Sequence, residues 1–189
     1  MAEAPDEELM LAYRDGDARA FETLYTRHRA RLFRFVLRGI ESRARAEELY
    51  QEIWMRVIEA RATYKPSARF TTWLYTIARN KLVDHWRGRD DAVSLDEAAN
   101  DPDGDAPFEI DAGEAQRPDV QAMSRAQARA FVDAVEQLPP AQKEAFLLQA
   151  EGGLSLEEIA AVTDAGHETV KSRLRYAMTK LRAAMEAWQ

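Results

Sequence analysis

The sequence predicts an all-α protein: two small helical domains joined by an acidic flexible linker. Three observations lead there. Apolar residues recur every three or four positions through most of residues 6–89 and again through 123–182, the period of a helix with one buried face. Between these blocks the chain holds Pro102, Pro107 and Pro118 and shows no such stripe. Charge changes sign at the same places: residues 18–89 carry sixteen basic and seven acidic residues, net +9, whereas residues 90–124 carry one basic and eleven acidic, net −10. The expected domains are therefore 1–89 and 123–189, with 90–122 as linker. The overall charge of −7 hides a strongly basic domain, and binding to a polyanion follows the local field.

Composition removes several classes of function. There is no cysteine, hence no disulfide frame and no thiolate zinc site. No apolar run approaches the roughly 18 residues that span a bilayer, and the opening MAEAPDEEL is acidic, unlike a secretory signal. A cytoplasmic protein with no membrane insertion is expected. His28, His85 and His167 lie far apart in sequence, and no P-loop, H-x-x-x-H or G-x-S-x-G motif occurs. No catalytic residue, metal ligand or cofactor is assigned.

Taken in order, Asp6 to Gly16 reads as a short acidic helix with Leu9, Met10 and Tyr13 inward. Ala18 to Gly39 follows, with Phe21, Leu24, Tyr25, Leu32, Phe35 and Val36 on one face and Arg27, Arg31, Arg34 and Arg38 as a solvated one. In the helix from about Arg43 to Ala62, Tyr50, Ile53, Trp54, Val57 and Ile58 form a core stripe. Glu47, Glu48, Gln51, Glu52 and Met55 are left outside. An acidic helix face is, on its own, most simply a solvated surface. Pro66 disfavours helix at Lys65, so Tyr64 to Ser67 is a turn.

The segment Arg69 to Arg89 interleaves aromatics (Phe70, Trp73, Tyr75, Trp86) with Arg69, Arg79, Asn80, Lys81 and Arg87. Planar rings and cations beside amides suit unpaired bases, each stacked base being worth roughly 1–3 kcal/mol. The candidate strand-capturing set is Lys65, Ser67, Arg69, Phe70, Thr72, Trp73, Arg79, Asn80 and Lys81. The alternative is that Trp73 and Trp86 are ordinary core aromatics.

Beyond the linker, Met123 to Leu138 is helical with Ala128, Phe131, Val132 and Val135 inward. Pro140 suits the first turn of the next helix, which carries Ala145, Phe146 and Leu148 to the core and ends at Gly152 or Gly153. Ser155 followed by Glu158 is a capping box, starting a helix with Leu156, Ile159, Ala160 and Val162 on one face. Asp164 and Gly166 turn the chain. The last helix buries Val170, Leu174, Ala177 or Met178, and Leu181. Its outer face carries Glu168, Thr169, Lys171, Ser172, Arg175 and Lys180, and Arg173 and Arg175 are either phosphate contacts or plain solvated surface. Two short helices with a basic second one fit a helix-turn-helix, although spacing alone fits an amphipathic hairpin equally well. Glu168 has two readings: a first-turn carboxylate complementing the helix dipole, or an acceptor for a cytosine amino group.

Several strings resemble the bacterial sigma-70 family, in its short extracytoplasmic-function (ECF) group. EEIAAV followed by TVKSRLRYAMTKLR is similar to region 4. Trp73, Leu74, Ile77, Ala78, Asn80 and Asp84 reproduce the Trp-Leu-x-x-Ile-Ala-x-Asn-x-x-x-Asp pattern of regions 2.3 and 2.4. RAEELYQEIWMR is similar to region 2.2. Together the likeness covers about residues 6–89 and 123–185. It implies that Glu47, Glu48, Gln51, Glu52 and Met55 bind core RNA polymerase at the β′ clamp coiled coil, a basic partner surface. It implies that the Lys65–Lys81 set reads and melts the −10 element, and that Glu168 to Lys180 bind the −35 duplex. A contact with the β flap, an anti-sigma factor as partner and a linker threading the RNA exit path are implied as well. Three places depart from the family's usual residues: Arg45 begins Arg-Ala-Glu-Glu where Asp-Ala-Glu-Asp is usual, Thr163-Asp164-Ala165 stands for a Leu-Gly-Val turn, and Glu168 for a glycine. Two other readings use the same helices. A helix-turn-helix regulator acting without polymerase predicts a dimer on a palindromic site, and an all-helical scaffold predicts no salt-dependent DNA binding.

Overall fold

The computed structural model describes residues 4–92 and 125–186. Among these residues there are eight α-helices, one 3₁₀ turn and no strand, as the helical period requires. The chain divides into two compact units, Met1–Pro107 and Phe108–Gln189. The expectations placed on the linker, other than its first residues, fall outside the described residues.

In the first unit, α1 (Asp6–Arg14), α2 (Ala18–Gly39), α3 (Arg43–Ala60) and α4 (Phe70–Ala92) pack in sequence, α1 on α2, α2 on α3 and α3 on α4. Asp17 and Ser42 start α2 and α3 by accepting hydrogen bonds from the backbone N–H of Arg19 and Arg45. The 3₁₀ turn Arg61–Thr63 ends α3 two residues before the expected boundary. Met10, Leu24, Leu32, Phe35, Val36, Ile53, Val57, Phe70, Leu74 and Tyr75 form the core, while Phe21, Tyr25 and Trp54 pack ring on ring at its flank. Gly39 lets α2 meet α4: a Cβ there would lie 3.0 Å from Leu82 Cδ1.

Three expectations are corrected. On α3 the buried residues are Ala46, Leu49, Ile53, Trp54 and Val57, so Ile53, Trp54 and Val57 lie inward as expected while Tyr50 and Ile58 are only half-buried, because adjacent apolar residues give two periodic solutions and packing on α2 and α4 selects one. Arg27 is half-buried rather than a purely solvated cation: its guanidinium binds Asp6 at 2.7 Å and the Ala4 carbonyl at 2.8 Å, tying α1 to α2. Finally, α4 runs to Ala92, past the expected linker start, because Gly88 is exposed and weakens a helix without ending it.

In the second unit, α8 (His167–Glu186) packs against α5 (Arg125–Glu136), α6 (Pro140–Ala150) and α7 (Leu156–Thr163). Val170, Leu174, Ala177 and Leu181 are its buried stripe, which leaves Met178 exposed. Val135, Leu147, Leu148, Ile159 and Val162 complete the core; Phe146 is half-buried against Phe131, and Ala128 faces solvent. The Ser155–Glu158 capping box is complete, with Ser155 Oγ accepting from the Glu158 N–H at 3.2 Å and Glu158 Oε2 from the Ser155 N–H at 2.8 Å. Asp164 then turns the chain in the left-handed region at φ 51°, a conformation aspartate tolerates better than most residues.

Candidate nucleic-acid and protein interfaces

The turn from Tyr64 to Arg69 is held at both ends by buried aromatic rings. Tyr64 and Phe70 are buried; Tyr64 meets Trp73 edge-on at 5.0 Å, and Phe70 lies 5.8 Å from Trp73. Lys65, Ser67 and Arg69 between them are exposed, with the Ser67 N–H donating to the Lys65 carbonyl at 2.8 Å. Burial, then the charges of Glu7 and Asp6, push the Tyr64 hydroxyl up to about 12. Half-buried Trp73 and exposed Asn80 share one side of α4, seven residues and about 10 Å apart along the axis. Lys65, Ser67 and Arg69 of the turn and Asn80 of α4 are thus open to solvent, and Trp73 partly so.

Phe70 and Thr72 do not belong to that exposed set. Phe70 is 0% exposed and Thr72 is buried, so both support it from beneath; alternating aromatics in the sequence do not reveal which ring faces inward. Trp86 is exposed but fixed, its Nε1 donating to the Gly39 carbonyl at 3.2 Å. Lys81 turns towards α3 and binds Glu52 Oε2 at 3.0 Å.

On α3, Glu47, Glu48, Gln51 and Met55 lie on the exposed side, with Met55 54% exposed and Glu52 half-buried at the edge. The chain's own cations already engage these acids. Arg45 reaches Glu48 at 2.7 Å and Glu52 at 3.7 Å, and Arg43 pairs with Glu47 at 3.0 Å. The Arg45 Nε also donates to His85 Nδ1 at 3.4 Å. Arg45, Glu52, Lys81, Asp84 and His85 line an open pocket of about 400 Å³ between α3 and α4.

In the second unit the outer side of α8 presents Glu168, Thr169, Lys171, Arg175 and Lys180, with Ser172 and Arg173 half-buried. The Glu168 side chain is 82% exposed, 3.6 Å from Lys171 Nζ and 3.7 Å from His167 Nδ1. The Arg175 guanidinium lies over the Tyr176 ring at 5.0 Å. Among the described residues no group of three or more potential ligands is placed to hold a metal ion, and no helix is long and apolar enough to cross a membrane.

One contact gave no signal in the sequence. Glu7 on α1 accepts a 2.6 Å hydrogen bond from the Phe70 N–H at the start of α4, 63 residues away. Beside it, Asp6 receives His28 Nε2 at 2.6 Å as well as Arg27. Burial raises the Asp6 carboxyl, but hydrogen bonds from His28 and Arg27 and their charges outweigh it and hold it below its ordinary value.

Two helical bodies, one with a cationic turn beside packed aromatic rings and one whose last helix carries an exposed basic side, place the chain among helical nucleic-acid-binding proteins. Residues 24–91 match Sigma-70 region 2, and residues 128–181 match Sigma-70, region 4. RNA polymerase sigma factor CarQ of Myxococcus xanthus is 35% identical over 176 residues, 92% of this chain and 93% of its own length. ECF RNA polymerase sigma factor RpoE of Cereibacter sphaeroides is 31% identical, covering 94% of this chain and 93% of the relative. In fold, the chain is similar to the sigma factor RpoE of Bartonella quintana, solved in complex with the anti-sigma factor NepR, at a TM-score of 0.64 and 22% identity over 88% of this chain and 96% of that one. The chain belongs to the sigma-70 family, in its ECF group, and is an RNA polymerase sigma factor.

Proposed function

We propose a division of labour in which three exposed surfaces each take one partner. The outer side of α3, with Glu47, Glu48, Gln51, Glu52 and Met55, docks on the basic β′ clamp coiled coil of core RNA polymerase. The Tyr64–Arg69 turn with Trp73, Arg79, Asn80 and Lys81 holds the opened −10 strand, and Phe70 and Thr72 act as its support. The α8 residues from Glu168 to Lys180 bind the −35 duplex, the N-terminal ones at base edges and Arg173 and Arg175 at phosphates. The second unit also meets the β flap. An anti-sigma factor is expected to cover one of these faces, as NepR accompanies its Bartonella partner.

The observation that carries this reading is the sorting of one helix. In α4, Phe70, Leu74 and Ala78 close the core while Asn80 is exposed and Trp73, half-buried, lies beside a cationic turn. Melting then requires no catalysis by this chain: stacking and hydrogen bonds to the extruded strand offset the cost of unstacking. The site of action is cytoplasmic, with the polymerase. Run-off transcription with purified core polymerase, with and without the protein, tests the reading on promoters substituted at −10 or −35. Start-site selection that depends on both elements is expected. Failure to co-purify with core, or dimeric binding to a palindrome without it, refutes the reading.

A further inference from the structure

We propose that Glu7 is a positioning residue for −10 recognition: it caps α4 from another helix and so fixes the turn that meets the opened strand. This rests on the assignment of the Tyr64–Arg69 turn to that strand.

The N-cap residue of α4 has no acceptor in its side chain. Arg69 occupies the N-cap position, since its carbonyl accepts the first helical bond from the Trp73 N–H at 3.1 Å. Arginine carries donors only, so it offers nothing to the orphan N–H groups of the first turn. Glu7 Oε1 supplies the missing acceptor, at 2.6 Å from the Phe70 nitrogen, and brings negative charge to the positive end of the helix. Serine or aspartate at position 69 would have made the cap local; instead the start of α4 depends on the placement of α1.

That placement is itself fixed. Asp6, one residue earlier, is clamped by Arg27 and His28 of α2, and the His28 ring lies 5.3 Å from the Phe70 ring. Further along α1, Tyr13 lies under the Arg61 guanidinium at 5.2 Å, just before the turn begins. Contacts from α1 therefore reach both flanks of the exposed residues Lys65 to Arg69, while no residue of α1 is assigned to DNA. The structure gives Glu7 an indirect role: it acts through Phe70 on where Arg69 and Trp73 stand.

The test uses the full chain with core polymerase and three variants: Glu7→Ala, Glu7→Gln and Leu9→Ala. The last removes half-buried apolar surface from the same helix without touching the cap. Glu7→Ala is expected to speed exchange of the Phe70 amide and to reduce the preference for the cognate −10 element in open-complex formation by roughly three- to tenfold, the scale of a lost cap. Glu7→Gln keeps an oxygen acceptor and is expected to retain most of that preference. Leu9→Ala is expected to lower Tm while leaving the preference intact. Wild-type preference in Glu7→Ala, equal loss in Leu9→Ala, or no rescue by Glu7→Gln overturns the proposal. A wild-type chain that selects no start site with core refutes the underlying assignment instead, and is seen before any variant is compared.

Discussion

Replacing Arg45 with alanine should strengthen docking on core polymerase. Arg45 Nη1 is 2.7 Å from Glu48 and 3.7 Å from Glu52, two carboxylates assigned to the docking face. The side chains are 39%, 63% and 43% exposed respectively, so solvent screens both pairs. About 0.5 kcal/mol each is a reasonable scale for such pairs. A basic partner helix must displace Arg45 to use both acids, giving up about 1 kcal/mol, or roughly fivefold in affinity. Arg45→Ala should therefore tighten core binding about fivefold near 0.1 M salt, and the gain should shrink as salt rises. Fluorescence anisotropy of labelled protein titrated with core polymerase measures it, with Arg31→Ala, an exposed α2 residue, as the charge-matched control. Unchanged or weaker binding, or the same gain from Arg31→Ala, refutes the contact argument.

The Asp6 carboxyl lies below its ordinary value of 3.8 in the fold, so the stability it confers is fully present above that pH and lost as pH falls through the folded value. The gap in urea midpoint between wild type and Asp6→Asn should accordingly narrow below about pH 4; a constant gap refutes the linkage. Ser155→Ala removes one arm of the capping box and should cost about 1 kcal/mol in urea unfolding of the helix-turn-helix unit. Asn80→Ala, at an exposed position, should leave Tm unchanged and lower discrimination at one −10 base by about fivefold, the worth of one net hydrogen bond, in permanganate footprints of the open complex.

What the sequence revealed depended on how local the cause was. The Ser155–Glu158 capping box spans four residues and formed as read, and the spacing of Val170, Leu174 and Leu181 alone placed the buried side of α8. On α3 the same rule left two solutions, since Leu49 and Tyr50 are both apolar and only the neighbouring helices choose Leu49. The string of aromatics after Arg69 announced a ring-lined surface, yet could not tell that Phe70 faces inward and Trp73 only partly so. Arg27 looked like one more surface cation because its partner, Asp6, belongs to a different helix. Glu7 is the extreme case: nothing within 60 residues on its C-terminal side hints at the amide it caps.

Glu52 and Lys81 join hands between α3 and α4, one assigned to the polymerase and the other to the promoter. A change that recruits the carboxylate elsewhere releases the ammonium, so under the proposed assignments a substitution at either residue is expected to touch both grips. A mutational survey scored only on transcript yield would credit such a change to the wrong partner; holoenzyme assembly and strand opening have to be scored side by side.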